Sequence, residues 1–354
     1  MNIMKKNVAV VGYGGMGAWH VNHIQKSDVV NLVGVYDIKE ERNEVAREKG
    51  IFAYDSFEKV LADEKVDIVT VAIPNDSHKS VVIRALEAGK NVICEKPVAM
   101  NLGELDEMIE TANRCGKIFS VHQNRRFDVD FLAMKQIKES GEIGQLINIE
   151  SRVHGSRGIP GDWRGKKEHG GGMLLDWGVH LIDQLLGMMD GKLQKIYCEF
   201  DNITNLEVDD GIKLTMMFEG GQKALVEVGT YNFIEMPRFY MRATEGTAVI
   251  NGWNDKAKVV KCTNMHESNV VPVVTAAGLT KTMAPRTDAT TKTYEIEQPK
   301  SDVHDYYRNF VKAVDGIEPQ LVTHSQMRRV MKVMMAAFES AKLGQSVDFD
   351  DNNN

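Results

Sequence analysis

The chain is poor in several things, and each scarcity narrows what it can be. It has four cysteines in 354 residues, Cys94, Cys115, Cys198 and Cys262, with no CxxC pair among them. That argues against a disulfide frame and a cysteine-built zinc site, and leaves buried free thiols as the plain reading. No uncharged apolar stretch is long enough to span a bilayer, so no membrane association is expected. Positive charge is not in excess: the net charge is −7, which argues against nucleic-acid binding. No HExxH-like pattern or other ligand cluster is present, so no metal is expected. Met1 to Asn7 leads straight into an apolar strand without a signal-peptide core, and the expected location is the cytoplasm. No internal repeat is visible.

What is present is a chain long enough for two domains and a sizeable core. Nineteen methionines are many; as adjacent pairs such as Met188-Met189 and Met334-Met335 they read as adaptable core filling. The strongest local signal is Gly12-Tyr13-Gly14-Gly15-Met16-Gly17, directly after the apolar run Val8 to Val11. A strand, a glycine turn and a helix start offer backbone N–H groups to a pyrophosphate. Asp37 follows at the end of the second strand. A carboxylate there binds ribose hydroxyls and repels a 2′-phosphate, so NAD is expected over NADP, although Arg42 could reach a 2′-phosphate.

Up to about residue 124, short apolar strands alternate with amphipathic helices. Strands are expected at Val30–Asp37, Val66–Ile73, Asn91–Cys94 and Lys117–Val121, and helices at Ser77–Ala88 and Gly103–Cys115. Asp55 with Glu58, and Asn101 with Glu104, read as helix starts. This pattern implies a parallel sheet covered on both faces, with ligands at the carboxyl ends of its strands. Pro74-Asn75, Glu95-Lys96-Pro97 and Gln123-Asn124 all lie at such ends. After residue 124, one helix (Val129–Ser140) precedes strand-like stretches at Leu146–Val153, Lys195–Ile203, Ile212–Phe218, Lys223–Thr230 and Phe239–Ala243. Phe218 to Gln222 reads as a hairpin turn. Thr263 to Pro299 has weak periodicity and could be a substrate loop or an oligomer arm. His304 to Lys342 reads as helical, and Asp348 to Asn354 as a polar tail without fixed structure. The expected fold is an α/β Rossmann domain (1–124) plus an α+β domain with a large, mainly antiparallel open sheet for substrate binding and oligomerisation (125–345), then a polar tail (346–354).

Two segments could do chemistry. In Cys94-Glu95-Lys96-Pro97, proline stiffens the turn beneath a lysine that could hold a substrate hydroxyl and stabilise a developing alkoxide. In Gly170-Gly171-Gly172-Met173-Leu174-Leu175-Asp176-Trp177-Gly178-Val179-His180-Leu181-Ile182-Asp183, a helix from Met173 would place Asp176 and His180 on one face. The carboxylate would then raise the basicity of the imidazole, suiting it to take a hydroxyl proton. A structural Asp–His pair, or a metal site of Asp176, His180 and Asp183, are the competing readings.

On these motifs the chain resembles the glucose–fructose oxidoreductase / inositol dehydrogenase / rhizopine catabolism (Gfo/Idh/MocA) family over nearly its whole length. The resemblance implies oxidation or reduction of a sugar or cyclitol secondary alcohol with NAD(P), and a homodimer or homotetramer built through sheet faces. It implies Lys96 and His180 as the catalytic pair, with Asp176 supporting the histidine, and Trp163 with Arg164 over the nicotinamide side. Expected cofactor contacts are Gly12, Tyr13, Gly14, Gly15, Met16, Gly17, Asp37, Ile38, Arg42, Ile73, Pro74, Asn75, His78, Glu95, Lys96, Pro97, Asn124, Trp163 and Arg164. Expected substrate contacts are Lys96, Gln123, Arg126, Phe127, Asp128, His154, Asp162, Trp163, Asp176, His180 and Asn232. A cleft with many polar and few aromatic residues suits a polyol. The expected activity is oxidation of a sugar or glycoside hydroxyl, foremost the C3 hydroxyl of a glucoside to a 3-oxo-glucoside. The alternatives are an inositol dehydrogenase and, from another class, a non-catalytic NAD or sugar sensor.

Overall fold

A computed structural model describes residues 4–267 and 270–352. Two sheets organise the chain. The first is parallel, built from β1 (Lys6–Val11), β2 (Val30–Tyr36), β3 (Ile68–Val71), β4 (Asn91–Cys94) and β5 (Phe119–Val121), in the order β2-β1-β3-β4-β5. Its strands are almost wholly apolar because helices cover both faces. These are α1 (Gly15–Ile24), α2 (Glu40–Glu48), α3 (Phe57–Ala62), α4 (His78–Glu87) and α5 (Leu102–Cys115). Asn101 caps α5 as expected, accepting the Glu104 N–H at 3.0 Å. The start of α3 differs: Ser56, not Asp55, accepts the Lys59 N–H, because Ser56 has the extended backbone a cap requires.

The helix α6 (Val129–Ser140) leads into the second sheet. Its strands are β6 (Leu146–His154), β7 (Leu193–Asp201), β8 (Gly211–Phe218), β9 (Lys223–Gly229), β10 (Phe239–Ala243), β11 (Gly246–Ile250) and β12 (Ala257–Cys262). The helix α7 (Val179–Leu186) lies between β6 and β7 in sequence. The region of weak periodicity resolves into a separate hairpin, β13 (Val273–Thr275) with β14 (Gly278–Thr280), and then β15 (Thr291–Ile296), which adds to the sheet edge beside β12. Two helices, α8 (Asp305–Val314) and α9 (His324–Leu343), precede the last strand, β16 (Val347–Asp348). The order is β15-β12-β11-β10-β6-β9-β8-β7-β16, antiparallel except for β6 beside β9. The fold is therefore a Rossmann-type sheet joined to a large, mostly antiparallel one.

The carboxy-terminal segment is not loose up to its last described residue. Val347-Asp348 pairs with β7, and Arg329 forks the Asp351 carboxylate at 2.8 and 2.6 Å. A polar composition hid this, since what docks the segment is a charge on another helix. Residues 353 and 354 lie outside the described residues. Among the described residues no helix is long and apolar enough to cross a membrane.

Candidate active site

The glycine turn is shaped for a close-fitting ligand. Gly12 has φ of +92°, and a Cβ there would lie 2.2 Å from the Ala72 carbonyl oxygen. A Cβ on Gly17 would lie 1.8 Å from the Gly12 carbonyl oxygen, so α1 can approach β1 only with glycine there. Gly15 is exposed, and its helix end turns free N–H groups outward. Buried Asp37 stands beside this turn, accepting from the Tyr13 N–H (2.7 Å) and the Lys39 N–H (2.9 Å). Arg42 lies across Gly14 with Nη1 3.4 Å from Asp37. Ile38 is 87 % exposed beside that carboxylate. A collision-limited turn, outward N–H groups and a ribose-facing acid fit NAD, which Gly12 to Gly17 and Asp37 would hold.

The ends of β3 and β4 meet the segment that leads from the glycine run into the π-helical turn. Lys96 follows β4, and its Nζ donates to the Asp176 carbonyl (2.7 Å) and to Asp176 Oδ1 (3.0 Å). Arg164 Nε donates to Asp176 Oδ2 at 3.1 Å, and Asp162 holds that guanidinium at 2.8 Å while capping the short turn Trp163–Gly165. The Arg164 guanidinium covers the Trp163 ring at 4.6 Å. Asn75 Nδ2 donates to the Gly170 carbonyl at 2.9 Å, tying β3's end to the glycine run. Burial pushes the Asp176 carboxyl up, but Lys96 and Arg164 outweigh it and hold it below the usual carboxylate range.

The expected Asp176–His180 partnership is not what forms. Leu174 to Gly178 make a π-helical turn before α7, and the Asp176 carboxylate faces the two cations instead of the ring. Burial, followed by the charges of Lys96 and Arg125, lowers the His180 pKa well below its ordinary value. His180 is therefore a neutral imidazole at neutral pH, not a base strengthened by a carboxylate. Its Nδ1 is buried and unpartnered. So are His122 Nε2, Gln123 Oε1 and Asn124 Oδ1, on three consecutive residues just past β5. Buried acceptors left unpaired are costly, so this run at the sheet's carboxyl end has hydrogen-bonding capacity that a water or a ligand would fill.

Other expected site residues are used differently. Arg126 forks Asp183 (2.7 and 2.6 Å) and reaches the Leu321 carbonyl at 3.0 Å, so it fastens α7 to the segment before α9. That pairing also removes Asp183 from any metal site with Asp176 and His180. Phe127 is partly buried and packs against the core. Asp128 holds Arg125 at 3.0 Å. His154 shares a sheet face with Arg152 and Glu227, opposite the Ser151 side chain that bonds Arg238 beneath the helices. It is not brought to Lys96. Asn232 lies in the loop bonded back to Gly155, beyond the same strand end. His78 is enclosed, its ring nitrogens 3.0 and 2.9 Å from the Pro97 and Ile73 carbonyls, so it braces the cofactor edge from below.

The sequence reading missed a cationic and aromatic wall. Arg125 lies 4.2 Å over Trp177 and 5.2 Å over Trp253, and Trp177 stands 5.9 Å from His180. Trp253 comes from a loop far along the chain, and no local pattern marks it. A second omission is the buried cluster His20, Glu95 and His122, whose ligand atoms lie within 4.8 Å of one another. This donor set could hold a metal ion, although each of those atoms is engaged in a hydrogen bond.

Comparison with known proteins agrees with this geometry. Residues 6–123 match the model described as oxidoreductase family, NAD-binding Rossmann fold, and 131–249 match the GFO/IDH/MocA C-terminal domain. The chain belongs to the Gfo/Idh/MocA family. Its N-terminal sheet is an NAD-binding Rossmann fold. An NAD-binding protein from Listeria innocua superposes with a TM-score of 0.95 at 44% identity, over 98% of this chain and 100% of that one. The myo-inositol 2-dehydrogenase of Thermotoga maritima is 28% identical over 62% of this chain and 67% of its own. The D-glucoside 3-dehydrogenase of Escherichia coli is 31% identical over 50% and 52%. The chain spans about half the length of two uncharacterized oxidoreductases of Schizosaccharomyces pombe, 46% and 56%.

Proposed function

We propose that this protein is an NAD-dependent dehydrogenase that oxidises a secondary hydroxyl of a sugar or glycoside, foremost the C3 hydroxyl of a glucoside to a 3-oxo-glucoside. The observation that carries the reading is Lys96, clasped to Asp176 near a neutral, buried His180 at the carboxyl edge of the NAD-binding sheet. An ammonium has three N–H donors, and Asp176 takes two. The third is left for a substrate oxygen, where the positive charge stabilises a developing alkoxide. His180, neutral with an unpartnered nitrogen, accepts the hydroxyl proton. NAD, when bound, supplies the hydride acceptor. Asp176 and Arg164 fix the lysine, and Gln123 and Asn124 offer acceptors to ligand hydroxyls or amide groups. In this reading residues 1–124 hold the cofactor, 125–345 shape the substrate cleft, and the chain works as a homodimer or homotetramer.

A second reading, a cyclitol dehydrogenase, is favoured by the similarity to a myo-inositol 2-dehydrogenase, which spans more of this chain than the match to the glucoside enzyme. Near-ultraviolet absorbance of NADH, followed with NAD and a panel of hexoses, glucosides and inositols, separates the two. Signal with glucosides and a 3-oxo product supports the first; signal with inositols alone replaces it with the second. Silence throughout leaves either an enzyme that recycles tightly held NAD with a second sugar or a sensor, and the nucleotide that copurifies, with turnover of paired sugars, separates those two. With an active substrate, Lys96→Met lowers kcat about 10²–10³-fold, the loss seen when one alkoxide-stabilising donor is removed. Activity within tenfold of the parent takes the lysine out of the mechanism.

A further inference from the structure

The mechanism above leaves unused a buried polar cluster of His20, Glu95 and His122. Glu95, whose side chain is 6 % exposed, precedes Lys96 in the turn after β4. Its Oε1 lies 2.8 Å from His20 Nε2 and 2.8 Å from His122 Nδ1, and its Oε2 accepts the Lys96 N–H at 3.2 Å. Burial pushes the Glu95 carboxyl up, but the two histidines outweigh it and hold it well below the ordinary range. An ionised carboxylate only accepts, so both ring nitrogens that face it carry hydrogens. For His20 this fixes the tautomer. Burial keeps the ring neutral, its pKa lowered to about 4, so Nδ1 must accept from the Tyr307 hydroxyl at 2.7 Å. Four elements are thereby joined: α1, which opens at the glycine turn, the lysine turn, the end of β5, and α8.

We propose that His20 is a positioning residue which, through Glu95, fixes the backbone of Lys96 and so sets where its Nζ stands against Asp176 and His180. Lys96 carries its side chain from a turn whose one side-chain anchor on the lysine's own N–H is Glu95. Glu95 in turn is held by two rings that cannot move, both being fully buried. His20 also sits three residues beyond Gly17, on the helix that a pyrophosphate would cap. The catalytic lysine is therefore registered to the cofactor helix by a side-chain chain and not only by the sheet.

The inference rests on Lys96 and His180 being the working pair, and its test does not need the substrate. Lys96 is the foremost charge depressing the His180 imidazole; Arg125 and His122 act in the same direction and Glu95 opposes them. The readout is therefore the His180 titration midpoint, followed by NMR in the protein without substrate. His20→Leu removes the donor to Glu95. His20→Gln keeps one, since a glutamine Nε2 occupies the place of the ring Nε2. His20→Leu is expected to raise the His180 midpoint by at least about half a unit as Lys96 loosens, and His20→Gln to restore it. If His20→Leu does not fold, Tyr307→Phe serves, because it removes the hydroxyl that holds the ring by its other nitrogen; a smaller rise in the same direction is expected. An unmoved midpoint in the folded variants, or a glutamine variant as displaced as the leucine one, overturns the proposal. Once a substrate is in hand, kcat falls in His20→Leu with KM unchanged. A substrate panel that fails with single and paired sugars, together with the shifted midpoint, would reject the proposed activity and leave the positioning intact.

Discussion

A preference for NAD over NADP is expected to rest on Asp37, and its size follows from the position of that carboxylate. A carboxylate about 4 Å from a single negative charge costs about 4 kcal/mol at the effective dielectric of a protein surface. A 2′-phosphate carries between one and two such charges at neutral pH. Asp37 is only 5 % exposed and thus little screened. Arg42, with Nη1 3.4 Å from it and a side chain 43 % exposed, returns part of that cost. A net penalty of about 3 kcal/mol corresponds to a preference for NAD of about 150-fold. Asp37→Asn removes the charge while keeping an acceptor for the Tyr13 N–H, so the ratio falls to within about tenfold, with Arg42 now free to favour the phosphate. Intrinsic fluorescence or calorimetric titration with each nucleotide, at low and high salt, reads the two dissociation constants directly. The reasoning is refuted if the parent binds NADP within threefold of NAD, or if the preference survives in the variant.

Two further changes test the reassigned Arg126 and a buried carboxyl beneath the π-helical turn. Arg126→Met leaves the Asp183 carboxylate buried and unpaired, which costs about 3–5 kcal/mol in urea unfolding, and Arg126→Met with Asp183→Leu recovers most of it; a cost below about 1 kcal/mol would return Arg126 to the substrate. Asp209, buried and accepting the Leu174 N–H at 2.7 Å, has its pKa raised by burial to about 7. The folded state then binds the proton more tightly than the unfolded chain, so this group costs stability as pH rises from about 4 to about 7, by about 4 kcal/mol once it is ionised. Asp209→Asn removes that cost. Its stability advantage over the parent should widen from pH 5 to pH 8, and a constant difference would show that Asp209 does not titrate there.

Local rules carried much of the fold. Strand, glycine turn and acid were legible as a dinucleotide site because each answers to neighbours in sequence: Gly12 to its φ, Gly17 to the Gly12 carbonyl, Asp37 to the Tyr13 N–H. The strands of the second sheet from β6 to β10 were legible by alternation, and β11 was not. Where the reading failed, the deciding partner was distant. Asp176 and His180 are four residues apart, yet Asp176 answers to Lys96, eighty residues away, and to Arg164. Arg126 and Asp128 are two residues apart, but one turns to Asp183 and the other to Arg125. His154 fell on the wrong face because the side of a strand that faces the helices is set by packing, not by its own residues.

By itself, then, the amino-acid order determined the cofactor and the two-sheet architecture, since these follow from backbone conformation and periodicity, whereas the choice of Lys96 and His180 rests on the family resemblance of their motifs. Tertiary structure alone decided how the charges pair. Which cation meets Asp176, why His180 is neutral, and that Glu95 is gripped by His20 and His122 all depend on burial and on side chains brought together from separate elements. Burial and Coulomb interactions act through space, and sequence distance carries no record of them.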